Sequence, residues 1–282
     1  MIRGSASFLA IGHVARDEFP DGTWRLGGSA LYAAATAARL GLETALVTRV
    51  GPHEQEALEQ SCGGLGVRLH ALQSLTTTTF VFRWDDQGRR ILRLRSRARG
   101  ITAADVPAEA GGAEATLLGS IAHELGPDLF RATPGIRVLA AQGQVRSWDA
   151  DGTVHRAGWP DAETHLAGLS AVVLSEEDVD GTALPSAWSK HAPVVLTLAD
   201  SGARLYQGGA VTAEVPAFRP AEVVDATGAG DAFAAGLTVA LAEGRALPDA
   251  MAFANAVASF CVEGPGTDGL ASRERVLERL GT

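Results

Sequence analysis

Apolar positions along this chain come as short continuous runs, each followed by a longer alanine-rich or amphipathic stretch. SFLAIG (7–12) has the length of a strand and ends in glycine. GGSALYAAATAARLG (27–41) carries the small-residue face of a helix packed closely on a sheet, stopped by Gly41. TALVTRVG (44–51) predicts the next strand and HEQEALEQSCGGLG (53–66) the next helix. Buried runs alternating with helices are the pattern of an α/β, doubly wound, mostly parallel sheet covered on both faces. The same reading predicts strands at 115–121, 136–141, 170–175, 193–199, 203–207 and 210–216, and helices at 229–242, 247–263 and 271–280.

The rhythm breaks at TTTTFVFRWDDQGRRILRLRSRA (76–98), where two alternating runs flank DDQG, a hairpin signal. Its arginines, Arg89, Arg90, Arg93, Arg95 and Arg97, read as the solvated face of a flap. With residues 13–26 this segment is expected to form a small β-lid over a site in the larger body. VRSWDADGTVHRAGW (145–159) has a second hairpin-like pattern. No repeat, linker or low-complexity segment divides residues 1–282, so a single domain is expected.

A net charge of -9 argues against nucleic acid or an anionic membrane as the main partner. No apolar run reaches the roughly 18 residues of a membrane span, and the N-terminal apolar patch reads as a first strand rather than a signal peptide. Cys62 and Cys261 make no disulfide framework or metal spacing, which fits a cytoplasmic setting. Lys190 is the sole lysine and lies in AWSKHAP with no glycines before it, which excludes a Walker-type phosphate loop.

The chemistry concentrates in EVVDATGAGDAFAAGLTVALAEG (222–244). The first amides of a helix starting near Ala229 have no intrahelical partner, and the helix dipole favours an anion there. Gly228 and Gly230 let a ligand approach the backbone. Asp231 in the first turn would repel a bound phosphate unless it took a proton from an attacking hydroxyl. A helix start decorated with acids for the dipole alone accounts for Asp231, but leaves the glycines, Asp225 and Thr227 unexplained.

DATGAGDAFAAG resembles the D-T-x-G-A-G-D signature of the ribokinase-like (PfkB) carbohydrate kinase family, LGGSALYAAATAARLG its N-terminal glycine signature, and GHVARD its first-strand segment. The resemblance runs in order along nearly the whole chain. It implies a three-layer α/β/α domain with a β-lid, ATP as donor with Mg2+, and K+ as an activating monovalent cation. It makes Asp231 the general base and the amides of Gly228, Ala229 and Gly230 the anion hole. Asp17, Gly27, Gly28 and Tyr32 would meet the acceptor. Thr197 and Gly202 in LTLADSGARLY, Thr227, and Asn255 and Gly264 in FANAVASFCVEGPGTDGL would lie by the nucleotide. Asp178 and Glu177, from a degraded N-x-x-E motif reading SEED, would serve the metal through water.

Ala15 and Tyr32 stand where many sugar kinases of the family carry Asn, so the chain departs from a simple ribokinase. GHVARD, LGGSALYAA, the lid segment, AQGQVR (141–146) and VVLSEEDV are similar to the myo-inositol kinase branch. That branch implies Gln142 and Arg146 as acceptor contacts and myo-inositol as the leading acceptor. A sugar or nucleoside kinase of the same fold, and a non-catalytic nucleotide or polyol sensor, are the competing readings. Gln142 as a strand cap and Arg146 as a solvated hairpin residue also stay open, as does Asp17 as a plain strand-end carboxylate. His13, His123 and Glu124 follow strands where a ligand would approach, although such residues commonly serve as satisfied polar groups. The lid strands also allow pairing with a second copy of the chain.

Overall fold

A computed structural model describes residues 7–84, 86–87 and 90–281, with the backbone alone at Arg90. Its strands are β1 (Ser7–Ile11), β2 (Ala15–Glu18), β3 (Trp24–Gly27), β4 (Glu43–Val50), β5 (Arg68–Gln73), β6 (Thr78–Trp84), β7 (Arg90–Ser96), β8 (Ala115–Gly119), β9 (Ile136–Ala140), β10 (Arg146–Trp148), β11 (Val154–Arg156), β12 (Ala171–Ser175), β13 (Val194–Thr197), β14 (Ala203–Gln207) and β15 (Ala210–Val215). Its α-helices are α1 (Ser29–Arg39), α2 (Pro52–Leu65), α3 (Leu129–Ala132), α4 (Ala162–Leu166), α5 (Ala183–Trp188), α6 (Ala229–Ala242), α7 (Leu247–Cys261) and α8 (Arg273–Leu280).

Nine strands form one sheet in the order β15-β14-β13-β12-β9-β8-β1-β4-β5. From β13 to β5 every neighbouring pair is parallel, while β14 and β15 run antiparallel at one edge. Side-chain alternation splits β1 between two cores. Phe8 and Ala10 pack with α1, α2, α6, α7 and α8, whereas Leu9 and Ile11 pack with α3, α4 and α5. The result is three layers, helices on both faces of a buried sheet.

Small residues let α6 lie close to its neighbours. A β-carbon at Gly236 would come within 3.1 Å of Val257 Cγ2 and 3.2 Å of the Ala254 Cα, so α6 and α7 touch almost backbone to backbone. Phe233 and Phe253 fill the remaining space, and burying each contributes about 2–3 kcal/mol. This packing fixes the direction of α6 and therefore where its N-terminus points. No helix among the described residues is long and apolar enough to cross a membrane.

The lid is a separate four-stranded sheet ordered β3-β2-β6-β7. β2 and β6 run parallel; the outer pairs, β3–β2 and β6–β7, are antiparallel. Ala15, Phe80, Phe82, Leu92 and Leu94 form its apolar inner face. On β2 the alternate residues Arg16 and Glu18 belong to a charge network in which Arg16 reaches buried Glu54 at 2.8 Å and Arg95 pairs with Glu18. Glu54 also accepts the Thr77 hydroxyl at 2.6 Å, which anchors the base of the lid to α2. The hairpin β10–β11 docks on β7 through Leu94 N–H to the Gly152 carbonyl, 2.8 Å. Arg89 of the flap lies outside the described residues.

Candidate active site

A cavity of about 510 Å3 opens between the lid and the ends of β12 and β13. The N-terminus of α6 forms its floor. Gly228 enters the helix at φ +83°, and a β-carbon there would lie 2.2 Å from Cε1 of the Tyr32 ring. Gly230 faces open space, with no heavy atom within 4 Å of where a β-carbon would stand. The Ala229 amide turns back to the Ala226 carbonyl over a long 3.3 Å, so the turn is wound before the first intrahelical bond, Ala232 N–H to the Gly228 carbonyl.

Asp231 lines this floor and accepts a hydrogen bond from the Ser29 hydroxyl, which joins the N-termini of α1 and α6. Burial pushes its carboxyl up to about 6; the Ser29 hydrogen bond and the Arg146 guanidinium work in the opposite direction. A carboxyl poised there is matched to taking a proton from a hydroxyl near neutral pH. The Ser29 contact was not anticipated from the sequence, although a lone hydroxyl opening an Ala-rich helix is a readable signal.

One wall carries Asp17, Gly28, Tyr32, Gln142 and Arg146, together with Ala15, Phe80, Phe82 and Leu92 from the lid. The Asp17 carboxylate lies directly over Gly27, where a β-carbon would sit 2.1 Å from Oδ2. Gly28, at φ +97°, lets the chain pass the carbonyl of His13 and begin α1. The Tyr32 ring backs the anion turn, and burial raises its phenol above the ordinary range. Arg146 Nη1 donates to the Ile121 carbonyl at 3.3 Å, and its guanidinium stands 5.6 Å from the Phe80 ring.

The rest of the cavity is lined by Thr197, Gly202, Phe218, Pro220, Val223, Thr227, Asn255 and Val262, with Ala199 and Ala226 among them. Gly202 turns at φ +96° where a side chain would collide with the Val215 carbonyl. Asn255 donates to the carbonyls of Val215 and Pro216 at 3.2 and 3.0 Å, so it shapes this wall from behind. Gly264 is not part of the lining and instead packs against Gly269 within its own loop.

His13, His123 and Glu124 serve the scaffold. His13 is buried, bonded to Thr78 and to the Arg99 carbonyl, and held below its ordinary pKa by burial. The ring of His123 meets the Arg146 carbonyl. Glu124, 1% exposed, accepts from the amides of His13, Ile121 and Ala122 and from the Ser120 hydroxyl.

The family resemblance implies a divalent and a monovalent cation, and the two fit differently. Glu176 and Glu177 line the cavity after β12. Asp178 is turned away, accepting from Gln142 at 3.2 Å and from the Ser175 amide at 2.9 Å, and burial raises its carboxyl. Among the described residues no cluster of three His, Cys, Asp or Glu is placed to cage a metal. Mg2+ needs no such cage when it arrives on phosphates with its waters, and Glu176 and Glu177 are the carboxylates in the lining that would meet it. A monovalent cation is not matched in this way. Asp225, the carboxylate between the anion turn and the 262–270 loop, gives Oδ2 to Arg25 at 2.7 Å and Oδ1 to the Thr227 amide at 2.9 Å. The Val262 carbonyl takes the amides of Val224 and Asp225.

Residues 170–273, which include the anion turn, match the pfkB family carbohydrate kinase model. The fold is the ribokinase fold, and the matched segment carries its anion turn. The chain is 28% identical to a nucleoside kinase of Methanothermobacter thermautotrophicus over 92% of its own length and 90% of that protein. It superposes with TM-score 0.78 on a pyrophosphate-dependent myo-inositol-1 kinase converted to a myo-inositol-3 kinase, at 25% identity over 98% of both chains. The fold is also that of the Arabidopsis thaliana ribokinase solved with ribose and ATP, TM-score 0.77 at 20% identity over 99% of each. A phosphotransferase acting on a hydroxyl therefore agrees with the fold, the matched region and the site.

Proposed function

We propose that this kinase moves the γ-phosphoryl of Mg2+-bound ATP to a hydroxyl of a neutral cyclic acceptor, with myo-inositol as the first candidate. The observation that carries the reading is the meeting of Asp231, the open Gly230 turn and Asp17 in one cavity. An acceptor hydroxyl held by Asp17, Gln142 and Arg146 would lie over Asp231, which takes its proton. The turn amides receive the phosphoryl oxygens as charge spreads over them. Glu176 and Glu177 would hold Mg2+, which when bound would supply charge neutralisation on the donor phosphates. Asp231 and Asp178 both lie close enough to Arg146 to feel its charge, which leaves little positive potential for an anionic acceptor.

The donor wall favours a nucleotide over free pyrophosphate. Phe218, Pro220, Val223 and Val262 make an apolar slot of the kind that takes a base, and Arg146 is the one cation in the described lining. For the acceptor, one observation favours a second reading. Phe80, Phe82 and Leu92 present a flat apolar wall, which suits a nucleoside base or the C–H face of a sugar as well as a polyol ring.

ADP or phosphate release, measured for ATP and pyrophosphate against myo-inositol, ribose, fructose, adenosine and cytidine, separates these readings. Turnover with ATP and a single acceptor is the expected result. Turnover with pyrophosphate alone would overturn the donor assignment. ATP binding without transfer to any acceptor would favour a sensor.

A further inference from the structure

We infer that Arg25 is a built-in cation of the anion turn, so that phosphoryl transfer by this chain needs no monovalent metal ion. The inference rests on the kinase reading above and concerns a residue that lies outside the cavity lining. Arg25 belongs to β3 of the lid, directly opposite Asp17 on β2 and therefore on the same face. Its Nη1 reaches Asp225 Oδ2 at 2.7 Å, and Nη2 lies 3.4 Å from the Thr227 hydroxyl. A residue of the lid thus grips the first carboxylate of the DATGAGD turn from 200 positions away.

The surroundings hold the guanidinium in this place. It stacks 4.8 Å over the ring of Phe19, which itself stacks on Phe82 of the acceptor wall, centroids 5.4 Å apart. Asp225 is the more buried partner, its side chain 19% exposed against 34% for Arg25. The guanidinium contributes to holding the Asp225 carboxyl below its ordinary range, together with hydrogen bonds from Thr227. Arg25 Nε is buried with no partner among the described residues, so the group keeps a donor beyond those spent on the turn.

A monovalent cation at this junction would need carboxylate and carbonyl oxygens with free lone pairs. Here the cationic partner of Asp225 is already Arg25, on Oδ2, with the Thr227 amide on Oδ1, and the Val262 carbonyl accepts two backbone amides. Unlike a bound ion, a guanidinium cannot leave, and its directional donors tie the lid to the turn. The contact thereby joins the acceptor wall, through Phe82, Phe19 and Arg25, to the residues that precede Gly228.

The test compares KCl with tetramethylammonium chloride at equal ionic strength. ADP·Mg2+ affinity is measured by calorimetry, ADP release is followed with whichever acceptor responds, and melting temperature is recorded without any ligand. Wild-type values should differ by less than about twofold between the salts, with the same melting temperature. Arg25→Met should lose on the order of tenfold in ADP·Mg2+ affinity in tetramethylammonium, and regain part of it in KCl or with millimolar guanidinium. Its melting temperature should become higher in KCl than in tetramethylammonium. Arg25→Lys, which keeps the charge but loses the planar fork, should fall between the two and separates charge loss from misfolding. Wild-type affinity or turnover rising more than about fivefold in KCl would overturn the inference. So would an Arg25→Met protein that matches wild type in both salts. Failure of the kinase reading looks different: no ADP·Mg2+ binding and no transfer in either salt, while the melting temperatures still report on Arg25.

Discussion

Replacing Gly228 with alanine tests the geometry of the anion turn more sharply than any change of charge. Gly228 sits at φ +83°, a left-handed conformation that costs an L-residue about 1–2 kcal/mol. The new β-carbon would also lie 2.2 Å from Cε1 and 2.3 Å from Cδ1 of Tyr32, a ring that is only 2% exposed. Relieving that overlap by moving either the ring or the turn adds about 1–3 kcal/mol of overpacking. The expected loss of stability is therefore about 2–5 kcal/mol, read as a lower urea midpoint. Any displacement of the turn moves its amides, and a misplaced oxyanion donor lowers turnover by about 10²–10³. In a Tyr32→Ala background the steric part disappears, and Gly228→Ala should cost only the backbone part, about 1–2 kcal/mol. An equal cost in both backgrounds would refute the packing argument. Unchanged stability and turnover in the single variant would refute the account of the turn altogether.

Other consequences follow from single residues. Glu124→Ala strands three amides and a hydroxyl in a buried loop and should cost about 3–5 kcal/mol in urea unfolding, with β8 and the lid base losing amide-exchange protection. Phe80→Ala opens the apolar wall of the acceptor side and should raise the acceptor KM about tenfold or more while leaving the ATP KM nearly unchanged. Asp231 has a folded pKa near 6 against 3.8 for an ordinary aspartate, so the stability this carboxyl contributes is present below pH 3.8 and lost as pH rises through 6. Asp231→Asn should accordingly stabilise the fold by about 3 kcal/mol at pH 8 and by little at pH 4, a difference that paired urea melts will show.

The α/β rhythm was legible because buried parallel strands are short apolar runs and glycines stop the helices between them. The helix predicted at 229–242 matches α6 at both ends, since Gly228 and Gly244 punctuate it. β5 was not anticipated: RLHALQ is half-buried at the sheet edge and mixes polar with apolar residues, so neither period dominates. The anion turn could be read because its glycines and carboxylates are local in sequence. The ion pair between Arg25 and Asp225 could not, because a contact across 200 positions leaves no periodicity to detect. Glu124 shows the converse limit. Its position after a strand left both ligand contact and a satisfied polar group open, and the fold decides for the second by directing backbone donors from its own loop and from His13 onto the carboxylate. Asp178 behaves similarly, since its position in an acidic run suggested metal, while the Ser175 amide and Gln142 lie within reach of its oxygens.

The central claim is that Asp231 takes the proton of an acceptor hydroxyl at the anion turn. The direct measurement is the pH profile of ADP release, with the responding acceptor, for wild type and Asp231→Asn, alongside ADP·Mg2+ affinity for both. Wild-type kcat/KM should fall with unit slope below pH about 6, where the carboxyl holds its proton. The variant should turn over slower by about 10³ or more, with no such slope and with nucleotide affinity within about threefold of wild type. A variant that turns over near the wild-type rate, or that keeps the same pH dependence, would remove Asp231 from the mechanism.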